Sequence, residues 1–227
     1  MRRTFYLSAF LLFYLMISCT QDSYEKGEGE YSLMRGDFAE AFVNSDKQIV
    51  SITTDDGELL PLKKSRTAKW VTTADTTYRC ILYYNKVEDT SGRPQAEVVS
   101  IGQVPCPRVR PLSEFDKELK TDPVKFESVW MSRTGKYLNM SLQLLTGATD
   151  DTTAVQQLAF VSDTLMTYPN GMRTLHVYLY HDQGNVPEYY STQAYVSLHA
   201  DSILADSVHI SINTYSGPVV KTLSLRR

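Results

Sequence analysis

The sequence predicts an all-β protein: a five-stranded barrel followed by a β-sandwich of about seven strands. Three observations carry that prediction. Strand-like stretches alternate polar and apolar residues with a period of two, most clearly where Tyr137, Asn139, Ser141, Gln143 and Leu145 oppose Leu138, Met140, Leu142 and Leu144. Turn signals separate these stretches, among them Asp55-Asp56-Gly57, Ser91-Gly92, Thr134-Gly135, Asn170-Gly171, Gln183-Gly184-Asn185 and Ser216-Gly217-Pro218. The best helix candidate is one short segment, Ser113–Leu119, where Ser113 can cap, Glu114 and Asp116 fill the first turn, and Phe115 and Leu119 lie four apart.

The chain opens with Met1–Cys19. Arg2 and Arg3 precede an apolar run, Phe5–Ile17, closed by Ser18-Cys19. The run is about 13 residues, short of the roughly 20 that span a bilayer, so residues 1–18 read as an export signal. The Ser-Cys ending resembles a bacterial lipobox, which makes Cys19 the lipidation site and the first mature residue; the alternative is a plain cleaved signal with a chance cysteine. Residues 19–35, polar and acidic after the cysteine (TQDSYEKGEGE), read as a tether.

The barrel is expected over residues 36–110. Its strands are Phe38–Val43, Gln48–Thr54, Glu58–Leu62, Tyr78–Val87 and Ala96–Val104, the second and third joined through Asp55-Asp56-Gly57, where Asp-Gly accepts the positive φ of a tight reversal. Pro105, Pro107 and Pro111 break the pattern, and residues 111–122 form a linker carrying the short helix. The sandwich follows over 123–227, with strands at Val124–Ser132, Lys136–Leu145, Ala154–Ser162, Arg173–His181, Ala194–Asp201, Ser207–Thr214 and Val219–Leu225.

Bulk composition excludes some functions. The 227 residues carry 23 basic and 26 acidic side chains, a net charge of −3, with no basic run, which argues against nucleic-acid binding. Cys80 and Cys106 are compatible with a disulfide in an exported protein; equally, Cys80 is a small buried strand residue and Cys106 a free thiol between two prolines.

No catalytic signature stands out: there is no GxSxG elbow and no HxH or HExxH pair, so no catalytic residue, metal site or cofactor is expected. By strand alternation His176, His199 and His209 point away from the apolar face toward solvent, and His181 sits at a strand end. Asp55-Asp56 and Asp150-Asp151 read as solvated turn residues. Asn139-Met140-Ser141 matches a glycosylation pattern by chance, with Asn139 hydrogen bonding locally beside Trp130. The compositional oddity is 15 tyrosines. His176, Tyr178 and Tyr180 share the outward face of one strand, a candidate ligand-binding face for a glycan or a protein partner; the alternative is cross-strand aromatic packing.

A lipobox, a small barrel, a proline-rich joint, a strand carrying Trp130 followed by Tyr137-Leu138-Asn139, and Leu175-His176-Val177-Tyr178-Leu179-Tyr180-His181 together resemble the NigD-like lipoproteins of Bacteroidetes. The resemblance implies an OB-like N-terminal barrel and a C-terminal β-sandwich. It also implies an outer-membrane lipoprotein, periplasmic or surface-exposed, held by its N-terminal lipid. It carries over no catalytic residue. The function expected is a non-enzymatic binding or accessory module; the alternative is a bacteriocin-associated accessory or immunity lipoprotein, with a hydrolase the weakest reading.

Overall fold

The computed structural model describes residues 33–114 and 118–225. The export segment and Cys19 lie outside the described residues. Five strands build the first domain: β1 (Arg35–Val43), β2 (Ile49–Thr54), β3 (Leu59–Arg66), β4 (Thr76–Glu88) and β5 (Pro94–Gln103). They close in the order β1-β2-β3-β5-β4, with β4 pairing back onto β1 and β3 running parallel to β5. Closure removes the free edges an open sheet would leave. The barrel is filled by Ala39, Ala41 and Val43 from β1, Cys80, Leu82 and Tyr84 from β4, and Leu60 and Ala96 across from them. Small residues on β1 let the large Tyr84 ring fit; its hydroxyl reaches Asp37 Oδ2 at 2.9 Å.

One detail departs from simple alternation. Ile49 and Ile52 differ in parity, yet both are fully buried. The β2–β3 register shifts between Ile49 and Ser51, and such an irregularity re-aims the side chain beyond it.

The second domain has two sheets. The larger runs β13 (Val219–Ser224), β12 (Ser207–Ile212), β10 (Arg173–Asp182), β9 (Gln157–Thr167) and β6 (Val109–Pro111). The smaller runs β11 (Tyr190–His199), β8 (Tyr137–Thr146) and β7 (Lys125–Met131). Their facing sides form one core: Leu138, Met140, Leu142 and Leu144 of β8 with Val196 and Leu198 of β11, against Phe160, Val177, Leu179, Val208, Ile210 and Ile212.

One feature of the joint differs from the sequence expectation. Val109–Pro111, ending on the last of the prolines that break the barrel pattern, is a sandwich strand parallel to β9; three residues are too few to show a period. Leu112–Glu114 form a 3-10 turn, and residues 115–117, the middle of the expected helix over Ser113–Leu119, lie outside the described residues. From Lys120 the chain is tied to the end of β10, Asp122 N–H donating to His181 O at 3.0 Å and His181 N–H to Lys120 O at 3.1 Å. Leu119 packs over Ala159, Val161 and Tyr180 on the outer face of the larger sheet.

Candidate functional site

The smaller sheet is buried on both faces along β8. Its inner face makes the sandwich core, and its outer face, carrying Tyr137 and Asn139, meets the outside of the barrel. Arg79 of β4 is the centre of that meeting. As the neighbour of inward-facing Cys80 it must point out of the barrel, yet it is only 6% exposed. Its guanidinium grips Asp55 with two contacts, Nη1–Oδ1 and Nη2–Oδ2, both at 2.7 Å. Nη2 also donates to Asn139 Oδ1 at 2.8 Å and Nε to Ser197 Oγ at 3.2 Å. Asn139 Nδ2 donates to Asp55 Oδ2 at 2.6 Å, and Ser197 Oγ donates to Asn139 Oδ1 at 2.8 Å. Arg79 Cζ lies over the Tyr137 ring, 4.0 Å from its centre. A charge taken out of water persists only when paired and hydrogen-bonded in this way.

Around this cluster Phe38 stands edge-on to Trp130 (centroids 5.5 Å apart) and to Tyr195 (5.3 Å). Thr134 N–H donates to Asp55 O at 3.0 Å and Ser197 N–H to Pro105 O at 2.9 Å, so backbone also crosses the joint. Residues 35–227 accordingly form one compact unit.

Beside Arg79 the joint opens into a cleft of about 340 Å³. Glu40 on β1, paired across the ladder with Arg79, accepts from Lys136 Nζ at 2.6 Å and Tyr137 Oη at 2.7 Å. Burial pushes the Glu40 carboxyl up, but these two hydrogen bonds outweigh it and hold it below the usual carboxylate range. Burial and the Glu40 hydrogen bond push the Tyr137 phenol up. Tyr78 stands at the other side, its oxygen accepting from Thr72 N–H at 3.1 Å and Thr73 N–H at 2.9 Å. Hydrogen bonds from Thr72 and Thr73 lower that phenol to about 8. Gln103, Cys106 and His199 complete the wall. His199 lies against Tyr137, ring centres 4.7 Å apart, and pairs with Asp201 at 3.5 Å. The cleft thus offers fixed donors and acceptors beside aromatic ring surface.

Several residues singled out in the sequence fall elsewhere. Cys80 and Cys106 do not pair. Cys80 faces into the barrel, its Sγ 3.4 Å from Ala39 O, whereas Cys106 lines the cleft on the opposite side of β4. Burial raises the Cys80 thiol to about 12 and the Cys106 thiol to about 11. His176, Tyr178 and Tyr180 do share the outer face of the larger sheet, but the face is not open along its length. Tyr180 is only 2% exposed, roofed by Leu119. Tyr178 borders a groove with Leu119, Asn213 and Pro218. His181 is buried rather than solvated, its Nδ1 donating to Asp122 O at 3.0 Å. His176 is half-buried and stacked on His209. Asp55 is drawn into the joint rather than left in solvent, and Asn139 bonds across domains rather than locally. Asp151 keeps the expected turn role, accepting from Thr153 N–H at 2.8 Å. Among the described residues no group of three His, Cys, Asp or Glu side chains is placed to hold a metal ion.

Comparison with known proteins follows this architecture. Residues 108–225 match the family model for the NigD-like C-terminal beta sandwich domain. A solved NigD-like immunity protein from Bacteroides caccae superposes with a TM-score of 0.66 at 23% identity, covering 84% of this chain and 92% of its own. A provisional lipoprotein from Bacteroides fragilis gives 0.60 at 10% identity, over 85% and 98%. A provisionally toxin-related protein from Parabacteroides distasonis gives 0.56 at 16% identity, over 83% and 92%. At these identities the three likenesses speak for the fold. No curated protein matches the sequence.

Proposed function

The chain belongs to the NigD-like family, and from that premise we propose that it is a lipid-anchored, non-enzymatic binding module of the cell envelope whose ligand, a glycan, enters the cleft at the joint. The observation that carries this reading is the lining of that cleft. Glu40, Lys136 and Tyr137 are held by one another and by Arg79, so their remaining donors and acceptors are presented without freedom left to lose on binding. Gln103 adds an exposed polar group, His199 a partly exposed one, and Tyr78 adds flat apolar surface. Planar polar groups beside aromatic rings are what a sugar ring, polar at its edge and apolar on its faces, requires.

The test is a screen of envelope and host oligosaccharides against the purified chain. The expected result is a ligand whose affinity falls about tenfold or more, or about 1.4 kcal/mol, in Gln103→Ala and His199→Ala. Equal affinity in both variants removes the cleft as the site. The lipid anchor is tested separately: Cys19→Ala should release the protein from the membrane fraction, and retention there contradicts lipidation at that residue. Protease added to intact cells then separates a surface position from a periplasmic one.

A second reading, an accessory or immunity role toward a bacteriocin, is favoured by the fold shared with the NigD-like immunity protein from Bacteroides caccae. Deleting the gene should sensitise cells to a co-encoded toxin; unchanged survival argues against it.

A further inference from the structure

Away from the joint, the outer face of the larger sheet carries a second arrangement of chemistry-bearing groups. β10 and β12 run parallel, and His176 and His209 are direct partners in their register. Parallel in-register pairing sets the two imidazoles side by side: their ring centres are 4.7 Å apart and their planes 22° from parallel. The next strand outward, β13, places Thr222 opposite His209, and the threonine hydroxyl lies 3.0 Å from His209 Nδ1. With that hydroxyl accepting from Nδ1–H, the ring is fixed in orientation and Nε2 carries the lone pair. His176 has the complementary feature. Its Nε2 is buried and makes no hydrogen bond, an uncompensated polar atom. On the other side of β10 the ladder to β9 is irregular at this point, its register shifting between Leu175 and Val177, so that no ladder partner stands opposite His176.

We propose that His176 and His209 form a two-imidazole site for a borderline divalent transition metal ion, of the Zn²⁺ or Cu²⁺ class. Imidazole suits these ions, and their affinity order places Cu²⁺ first. Because rings this close to parallel hold their lone pairs nearly parallel, bringing two nitrogens onto one ion requires the rings to turn about their Cβ–Cγ bonds. Ligation gives the buried His176 nitrogen the partner it lacks, while Thr222 acts as the positioning group behind His209. No third protein carboxylate, thiol or imidazole completes a cluster among the described residues, so the other coordination positions fall to water. Such an open site binds exchangeably rather than structurally. The proposal is independent of the glycan reading, since the pair lies on the sheet face opposite the sandwich core and none of its residues lines the joint cleft.

The experiment is titration of the full chain in detergent with Zn²⁺, and separately with Cu²⁺, by calorimetry. The variants are His176→Ala, His209→Ala, Thr222→Val and, as a control, His199→Ala. The expected outcome is one saturable site per chain that disappears in either histidine variant, weakens about tenfold in Thr222→Val, and is unchanged in His199→Ala. Circular dichroism establishes that each variant is folded. If a histidine variant does not fold, Cu²⁺ electron paramagnetic resonance on the unmodified chain decides, with coupling to two imidazole nitrogens expected. Unchanged affinity in folded His209→Ala, no saturable uptake by the unmodified chain, or coupling to fewer than two imidazoles overturns the proposal.

Discussion

Arg79 is the residue through which the two domains know each other. It leaves the barrel wall, meets Asp55 of its own domain and then Asn139 and Ser197 of the other. Removing one member of a buried pair strands its partner's charge, at a cost of about 3–5 kcal/mol. Arg79→Ala is therefore expected to lose that much stability by denaturant titration; a loss below about 1 kcal/mol would mean that the pair is solvated in solution. Glu40 makes the same joint sensitive to acid. Its folded-state carboxyl is depressed, so its contribution is present above the unfolded value of about 4.3 and is lost as pH falls through the lower folded value. Stability should decline below about pH 4.3, and Glu40→Gln should flatten that part of the profile; an unchanged slope would remove Glu40 from the joint's energetics. Neither Arg79 nor Asn139 announced its role at the joint in sequence. Arg79 sits inside an aromatic strand and Asn139 inside the most apolar one, and a polar residue at such a place is the signal that a second surface covers the strand. The alternation of β8 was legible, but alternation distinguishes two faces without saying whether the polar one meets water or another domain.

At the scale of elements, the expected strands of both domains are present in order, because their cue is local: period-two patterning bounded by Gly and Asp turns. What patterning missed depends on partners distant in sequence. Strand β6 exists only because β9 offers an edge. From Lys120 the linker is tied down along the sheet. The same tie explains the tyrosine face: parity placed Tyr180 outward, correctly, and Leu119 then closed over it. Placement on opposite sides of β4 decides the cysteines. Cys80 points inward and Cys106 lines the cleft reached by Arg79, so the two thiols are separated by the barrel wall. Under non-reducing conditions the described domains should carry no internal disulfide. Cys106 should label slowly in the native protein, and Cys80 only after unfolding, as their thiols at about 11 and about 12 require. A Cys80–Cys106 crosslink in a peptide map would contradict this placement.

At the scale of the molecule, the joint does what neither domain does alone. The barrel lacks a free edge to extend, and the sandwich has its core between its own sheets. The outer face of the three-stranded sheet is the surface left to share, and β1 and β4 of the barrel cover it. The cleft is a fixed site only if the two domains unfold as one body. The two tryptophans report that directly, since Trp70 packs against the barrel core and Trp130 lies on β7 of the sandwich. In Trp130→Phe fluorescence follows the barrel, and in Trp70→Phe it follows the sandwich. Denaturant titration of both variants should give coincident midpoints, and adding Arg79→Ala should separate them. Midpoints that already differ with Arg79 in place would contradict a locked joint, and with it the cleft as a preformed binding site.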